Sequence, residues 1–136
     1  MQNNANEMAV FNTAIYVRLS KEDIVAAQSG RESNSITNQK QLILDFLKDK
    51  PEFNIVSIRI DDGYTGTNFD RPAFQRMLND IKAGRINCVV VKDLSRFGRE
   101  YINSGKYIHR LFPVLGVRLI AINDNIDTIT CDESSE

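Results

Sequence analysis

Four short β-branched runs, separated by stretches with helical spacing, constrain this chain more than anything else in its sequence. The runs are residues 14–17 (AIYV), 55–60 (IVSIRI), 88–91 (CVVV) and 116–122 (GVRLIAI). Most of these positions are apolar on both alternating sides, so the strands they form must be covered on both faces. Between the first two runs, residues 35–50 place Ile36, Gln39 or Lys40, Ile43, Leu44 and Leu47 at helical intervals, with Ser33, Asn34 and Ser35 as candidate caps and Pro51 just beyond. A second helix is expected from Asp70 as cap and Pro72 in the first turn, with Phe74, Met77, Leu78 and Ile81 inward and Gly84 ending it. The spacing of Ile102, Ile108, Leu111 and Phe112 predicts a third over 99–115, kinked or shortened by Pro113. Strands alternating with helices define an α/β fold: a mainly parallel sheet of four to five strands with helices on both faces.

A chain of 136 residues, 42% hydrophobic and 26% charged, is one globular domain by size and composition. Residues 1–12 are expected to be a disordered N-terminus, 13–128 the folded domain, and 129–136 an acidic tail or truncation point. The polar stretch from Asp124 onward reads as fraying. No apolar run reaches the roughly 18 residues of a membrane span, and the start MQNNANEMAV lacks a secretory pattern, so a cytoplasmic protein without membrane contact is expected. Cys88 and Cys131 have neither metal-site nor disulfide spacing and read as reduced thiols. The net charge of −1 excludes a domain that grips nucleic acid by bulk charge, though not one with a local basic site.

In a parallel sheet, functional groups collect beyond the carboxyl ends of the strands. The first strand runs out into Arg18 and Ser20, alternate positions that point the same way. The loop after the second, DDGYTGTNF, leads to Asp70 and Arg71, and the third runs into Lys92-Asp93-Leu94-Ser95-Arg96-Phe97-Gly98-Arg99. If these strands are neighbours, four guanidinium groups converge around one hydroxyl. Arginine forks match phosphate oxygens, stabilise an alkoxide and offset the charge that grows on phosphorus during attack. Taken singly, an Arg-x-Ser is an ordinary strand end and Asp70-Arg71-Pro72 an ordinary helix start. Arg96 and Arg99 are less easily dismissed, because cations near a helix N-terminus oppose its dipole. His109 reads as a surface residue with no triad around it. The string GREYINSGK has six residues between glycine and Gly-Lys and is not a phosphate-binding P-loop.

Together Tyr16 to Ser20 (Y-x-R-x-S), Ser35 to Gln39 (S-I-x-N-Q), Asp61 to Pro72 (DDGYTGTNFDRP) and Lys92 to Arg99 (KDLSRFGR) resemble the catalytic domain of the serine recombinases, the resolvase and invertase superfamily. The later stretch from Gly116 to Thr128 is more similar to the large recombinases of mobile elements. The resemblance implies that Ser20 is the nucleophile that forms a 5′-phosphoserine linkage to double-stranded DNA. It further implies that Arg18, Arg71, Arg96 and Arg99 bind the phosphate, that Gln39 is the family's active-site glutamine, and that neither metal nor cofactor is required. Dimers and tetramers of the full-length protein would carry out the exchange. Ser95 stands where small resolvases carry aspartate, leaving Asp93 and Asp70 as the nearest supporting carboxylates, and the loop between Ser20 and Gln39 is longer than theirs. The family's dimerisation helix and DNA-binding regions have no counterpart in these residues, so the isolated chain is expected to be weakly associating or monomeric and inactive. The rival readings are a non-catalytic α/β module that holds a phosphate or nucleotide, and a hydrolase using the same serine.

Overall fold

The computed structural model describes residues 10–19, 35–61, 72–96 and 112–129. Its elements are β1 (Phe11–Arg18), α1 (Ile36–Leu47), β2 (Phe53–Asp61), α2 (Pro72–Lys82), β3 (Cys88–Val91), a 3-10 turn (Leu94–Arg96), α3 (Phe112–Leu115), β4 (Arg118–Ala121), a second 3-10 turn (Ile122–Asp124) and β5 (Ile126–Asp127). The five strands form one sheet in the order β2-β1-β3-β4-β5. All neighbours run parallel except β4 and β5, which are antiparallel. The chain thus steps from β1 outward to β2, then returns to the other side of β1 for β3. That reversal makes the carboxyl ends of β1 and β3 the sheet's switch point, where open α/β sheets place their ligands.

Alternation along β1 divides the core in two. Ala14 and Tyr16 join Phe74, Met77, Leu78 and Ile81 of α2, together with Phe112, on one face. Ile15 and Val17 pack on the other with Ile43 and Leu47 of α1. Helices therefore cover both faces of the sheet's centre, and double burial explains why β1 and β3 lack an apolar/polar alternation. β2, at the sheet edge, instead leaves Ile55, Val56, Ile58 and Ile60 exposed, against the expectation of cover on both faces. Helix α1 is capped as expected at its start, where Ser35 Oγ accepts from the Asn38 amide at 3.1 Å, but it ends at Leu47 rather than continuing to Lys50.

Three further boundaries differ from the sequence expectation. β1 begins at Phe11, inside the stretch expected to be disordered, because Asn12 and Asn87 extend the β1–β3 pairing: the Asn12 amide donates to Asn87 Oδ1 at 2.7 Å and the Asn87 amide to the Asn12 carbonyl at 3.0 Å. Asp124 and Asp127, read as part of a frayed end, are built into the fold. Asp124 Oδ2 accepts from the Leu94 amide at 2.7 Å, and Asp127 accepts from Nε and Nη2 of Arg118 at 2.9 and 2.7 Å. β2 extends to Asp61 and carries an irregularity: Thr13 pairs with Ile55 but Ala14 with Ser57. The slip brings Asp61, rather than Ile60, level with Arg18. Since strand side chains alternate, it also sets which face the carboxylate occupies. Most of the helix expected over 99–115 lies outside the described residues, which hold only its last turn, Phe112–Leu115.

Candidate active site

Arg18 is the last residue of β1, and the 3-10 turn that follows β3 ends in Arg96. Adjacent parallel strands bring the two together. Each guanidinium holds the other residue's main chain: Arg18 Nε donates to the Arg96 carbonyl at 3.1 Å, and Arg96 Nη1 donates to the Arg18 carbonyl at 2.6 Å. Arg96 is only 5% exposed, and its Nε lies 3.4 Å from Asp93 Oδ1, so the buried cation has a carboxylate beside it. The turn is fixed from the far side as well, by the Leu94–Asp124 bond and by the Asn123 amide donating to the Lys92 carbonyl at 2.8 Å.

Gln39 reaches the same point from the opposite face. It lies one turn into α1, fully buried, and its side-chain amide engages both polar groups of the Arg18 backbone. Nε2 donates to the Arg18 carbonyl at 3.0 Å and Oε1 accepts from the Arg18 amide at 3.4 Å. A buried glutamine amide needs partners, and here it pairs with the end of β1 much as another strand would. Periodicity alone had left Gln39 and Lys40 as alternatives for this inward position; Gln39 is the buried one.

Of the residues singled out from sequence, the structure brings together Arg18, Gln39, Arg96 and Asp93. Ser95 occupies the middle of the 3-10 turn. Ser20, Asp70, Arg71 and Arg99 lie outside the described residues. One residue that sequence reasoning placed only at the start of a motif, without a role, stands at the same end of the sheet: Asp61, 4% exposed, which accepts from Tyr16 Oη and from the first amides of α2. Its sequence signals were its place at the head of the DDGYTGTNFDRP motif and an acidic residue closing an apolar strand.

Among described groups with nucleophilic chemistry, Cys88 can be set aside. It is buried at the opposite, amino end of β3, and burial pushes its thiol up to about 12, so it stays protonated at neutral pH. Among the described residues, no group of three His, Cys, Asp or Glu side chains is placed to hold a metal ion. No helix among them is long and apolar enough to cross a membrane.

A doubly covered α/β sheet with paired arginines at its switch point defines a domain suited to phosphate chemistry. Comparison with known proteins makes the class specific: the family model described as "Resolvase, N terminal domain" matches residues 13–134. The chain therefore belongs to the resolvase family and is a serine site-specific recombinase catalytic domain. It is similar to the N-terminal catalytic domain of TP901-1 integrase, at 26% identity over 86% of this chain and 81% of that one, with a TM-score of 0.68. A resolvase family site-specific recombinase from Streptococcus pneumoniae is 30% identical over 86% of this chain and 75% of that one, with a TM-score of 0.66. The C-terminal catalytic domain of ISC1926 TnpA, an IS607-like serine recombinase, shares the fold at 19% identity, covering 82% and 69% of the two chains with a TM-score of 0.62. No curated protein sequence matches the chain.

Proposed function

We propose that this domain cuts and rejoins double-stranded DNA through Ser20, with Arg18, Arg71, Arg96 and Arg99 on the scissile phosphate and Gln39 and Asp93 holding the arginine scaffold. The observation that carries the reading is the meeting of Arg18, Gln39 and Arg96 at the switch point of a resolvase-family sheet. Ser20 follows Leu19, whose amide donates to the Asp61 carbonyl at 2.9 Å as the chain leaves β1.

In the proposed reaction the serine oxygen forms a bond to phosphorus while the bond from phosphorus to the 3′ oxygen breaks. The serine proton leaves to solvent or a nearby base, and the departing 3′ oxygen takes up a proton. Guanidinium groups offset the charge that accumulates on the phosphate oxygens, which is where fixed donors lower a barrier most. One phosphate ester replaces another, so the energy of the broken bond is retained in the protein linkage and the reverse attack by a 3′-hydroxyl reseals the strand. The burial of Arg96 supports a division of labour: it holds the Arg18 carbonyl and adds positive potential, while Arg18 ends the strand two residues before Ser20 in the chain. The same proposal has the full-length recombinase assemble as dimers and tetramers and act in the cytoplasm.

The test is covalent capture. Full-length recombinase and its Ser20→Ala variant are incubated with duplex DNA, denatured and resolved by mass. The wild type is expected to yield a 5′-phosphoserine adduct and the variant none, with DNA binding preserved. An adduct that persists in Ser20→Ala removes the serine from its role. Multiple turnover with free 5′-phosphate ends, and no adduct, would favour hydrolysis instead.

A further inference from the structure

Asp61 has no role in the reaction outlined above, yet three donors from two elements, β1 and α2, converge on its carboxylate. Oδ2 accepts from Tyr16 Oη at 2.8 Å and from the Phe74 amide at 3.0 Å, and Oδ1 accepts from the Ala73 amide at 2.9 Å. Its own carbonyl accepts from the Leu19 amide at 2.9 Å. Asp61 and Tyr16 are both buried, at 4% and 0% exposure.

Helix α2 begins at Pro72, so Ala73 and Phe74 carry the amides that an N-cap side chain ordinarily satisfies. Asp61 satisfies them from a strand twelve residues away. The residue before the helix in sequence is Arg71, a type that neither caps well nor suits the positive end of a helix dipole. A buried carboxylate on the first-turn amides removes both objections. It meets the capping requirement that position 71 would otherwise have to meet, and it sets a negative charge against the dipole.

We propose that Asp61 is a positioning residue of the recombinase: its carboxylate ties Tyr16 of β1, the strand that leads into Ser20, to the helix start that follows Arg71, so that one side chain links the two segments that carry the serine and the arginine. The proposal rests on the assignment of Ser20 and Arg71 made above. The register slip between β1 and β2 serves the same end, since without it Ile60 would sit level with Arg18.

Both carboxylate oxygens act only as acceptors, so Asp61→Asn turns an NH2 group toward a donor whichever way the amide is placed. Full-length Asp61→Asn and Tyr16→Phe are compared with wild type on a duplex site recovered from a randomised DNA pool by covalent capture. DNA affinity and single-turnover cleavage rate are measured separately, with folding followed by circular dichroism. Folded Asp61→Asn is expected to bind DNA within about threefold of wild type while cleaving about 10- to 100-fold more slowly, the penalty for displaced catalytic groups. Tyr16→Phe, which removes one of the three bonds, is expected to shift the rate in the same direction by a smaller factor. If Asp61→Asn does not fold, Tyr16→Phe decides. Cleavage by the folded variants within about twofold of wild type, or a loss of binding that accounts for the whole loss of cleavage, overturns the proposal. Ser20→Ala in the same assay separates the two claims: an adduct there defeats the nucleophile assignment, whereas an inert Ser20→Ala beside a fast Asp61→Asn defeats only the role of Asp61.

Discussion

Replacing Gln39 by methionine tests whether its amide, rather than its volume, holds the end of β1. The two side chains are close in length and shape, so the exchange removes the polar atoms while leaving no large cavity. The bond from Nε2 to the Arg18 carbonyl, at 3.0 Å, is well formed; the one from the Arg18 amide to Oε1, at 3.4 Å, lies near the limit of a useful contact. The Arg18 carbonyl keeps its 2.6 Å bond from Arg96, so it is not stranded in an apolar interior. One good and one weak bond, at roughly 0.5–1.5 kcal/mol for a typical one, put the expected loss at about 1–2 kcal/mol. For a domain of this size, that is a fall in Tm of about 4–8 °C. Urea unfolding followed by circular dichroism should show a lower midpoint with an unchanged slope. A change below about 0.3 kcal/mol would mean that the amide does not hold the strand, and one above about 4 kcal/mol would require packing disruption instead.

Two further outcomes follow from groups away from the site. Because burial pushes the Cys88 thiol up to about 12 from an unfolded value of 9.0, iodoacetamide at pH 8.5 should leave it unmodified in a Cys131→Ser background until urea is added; labelling at the denatured rate would refute its burial. The same shift makes the folded state disfavour the thiolate, so this contribution to stability is fully present below pH 9.0 and is lost as pH rises toward about 12. Arg118→Ala removes the bidentate bond to Asp127 and a guanidinium lying 4.9 and 5.0 Å from the rings of Phe11 and Phe53. The expected cost is about 1–3 kcal/mol, with faster amide exchange in β5; equal exchange in variant and wild type would show that the pair does not hold that strand.

Where burial is two-sided, the sequence was easy to read. The run CVVV is strand β3 to the residue, because every position in it is covered and β-branched side chains dominate. The inner face of α2 was equally plain, since helical spacing delivers Phe74, Met77, Leu78 and Ile81 to one core. Elements held by polar pairing were hidden. Asn12 belongs to β1 through Asn87, 75 residues on, and Asp127 belongs to the fold through a bidentate arginine, so polarity made both look like loop. The meeting of Arg18 with Arg96 followed from strand alternation plus the switch-point rule, and Gln39 came from the family motif. Asp61 stood at the head of the DDGYTGTNFDRP motif, but its role was not legible, because its partners sit 12, 13 and 45 residues away and no local pattern reports such bonds.

The mutual grip of Arg18 and Arg96 changes how arginine substitutions here are to be interpreted. Each side chain closes on the other's peptide oxygen, so swapping either residue for alanine releases a neighbouring segment of backbone along with one positive charge. A kinetic defect in such an alanine variant therefore mixes lost electrostatics with a loosened frame. Lysine makes a poor control for the same reason, since its single ammonium lacks the planar fork that lets a guanidinium serve a carbonyl and an anion together.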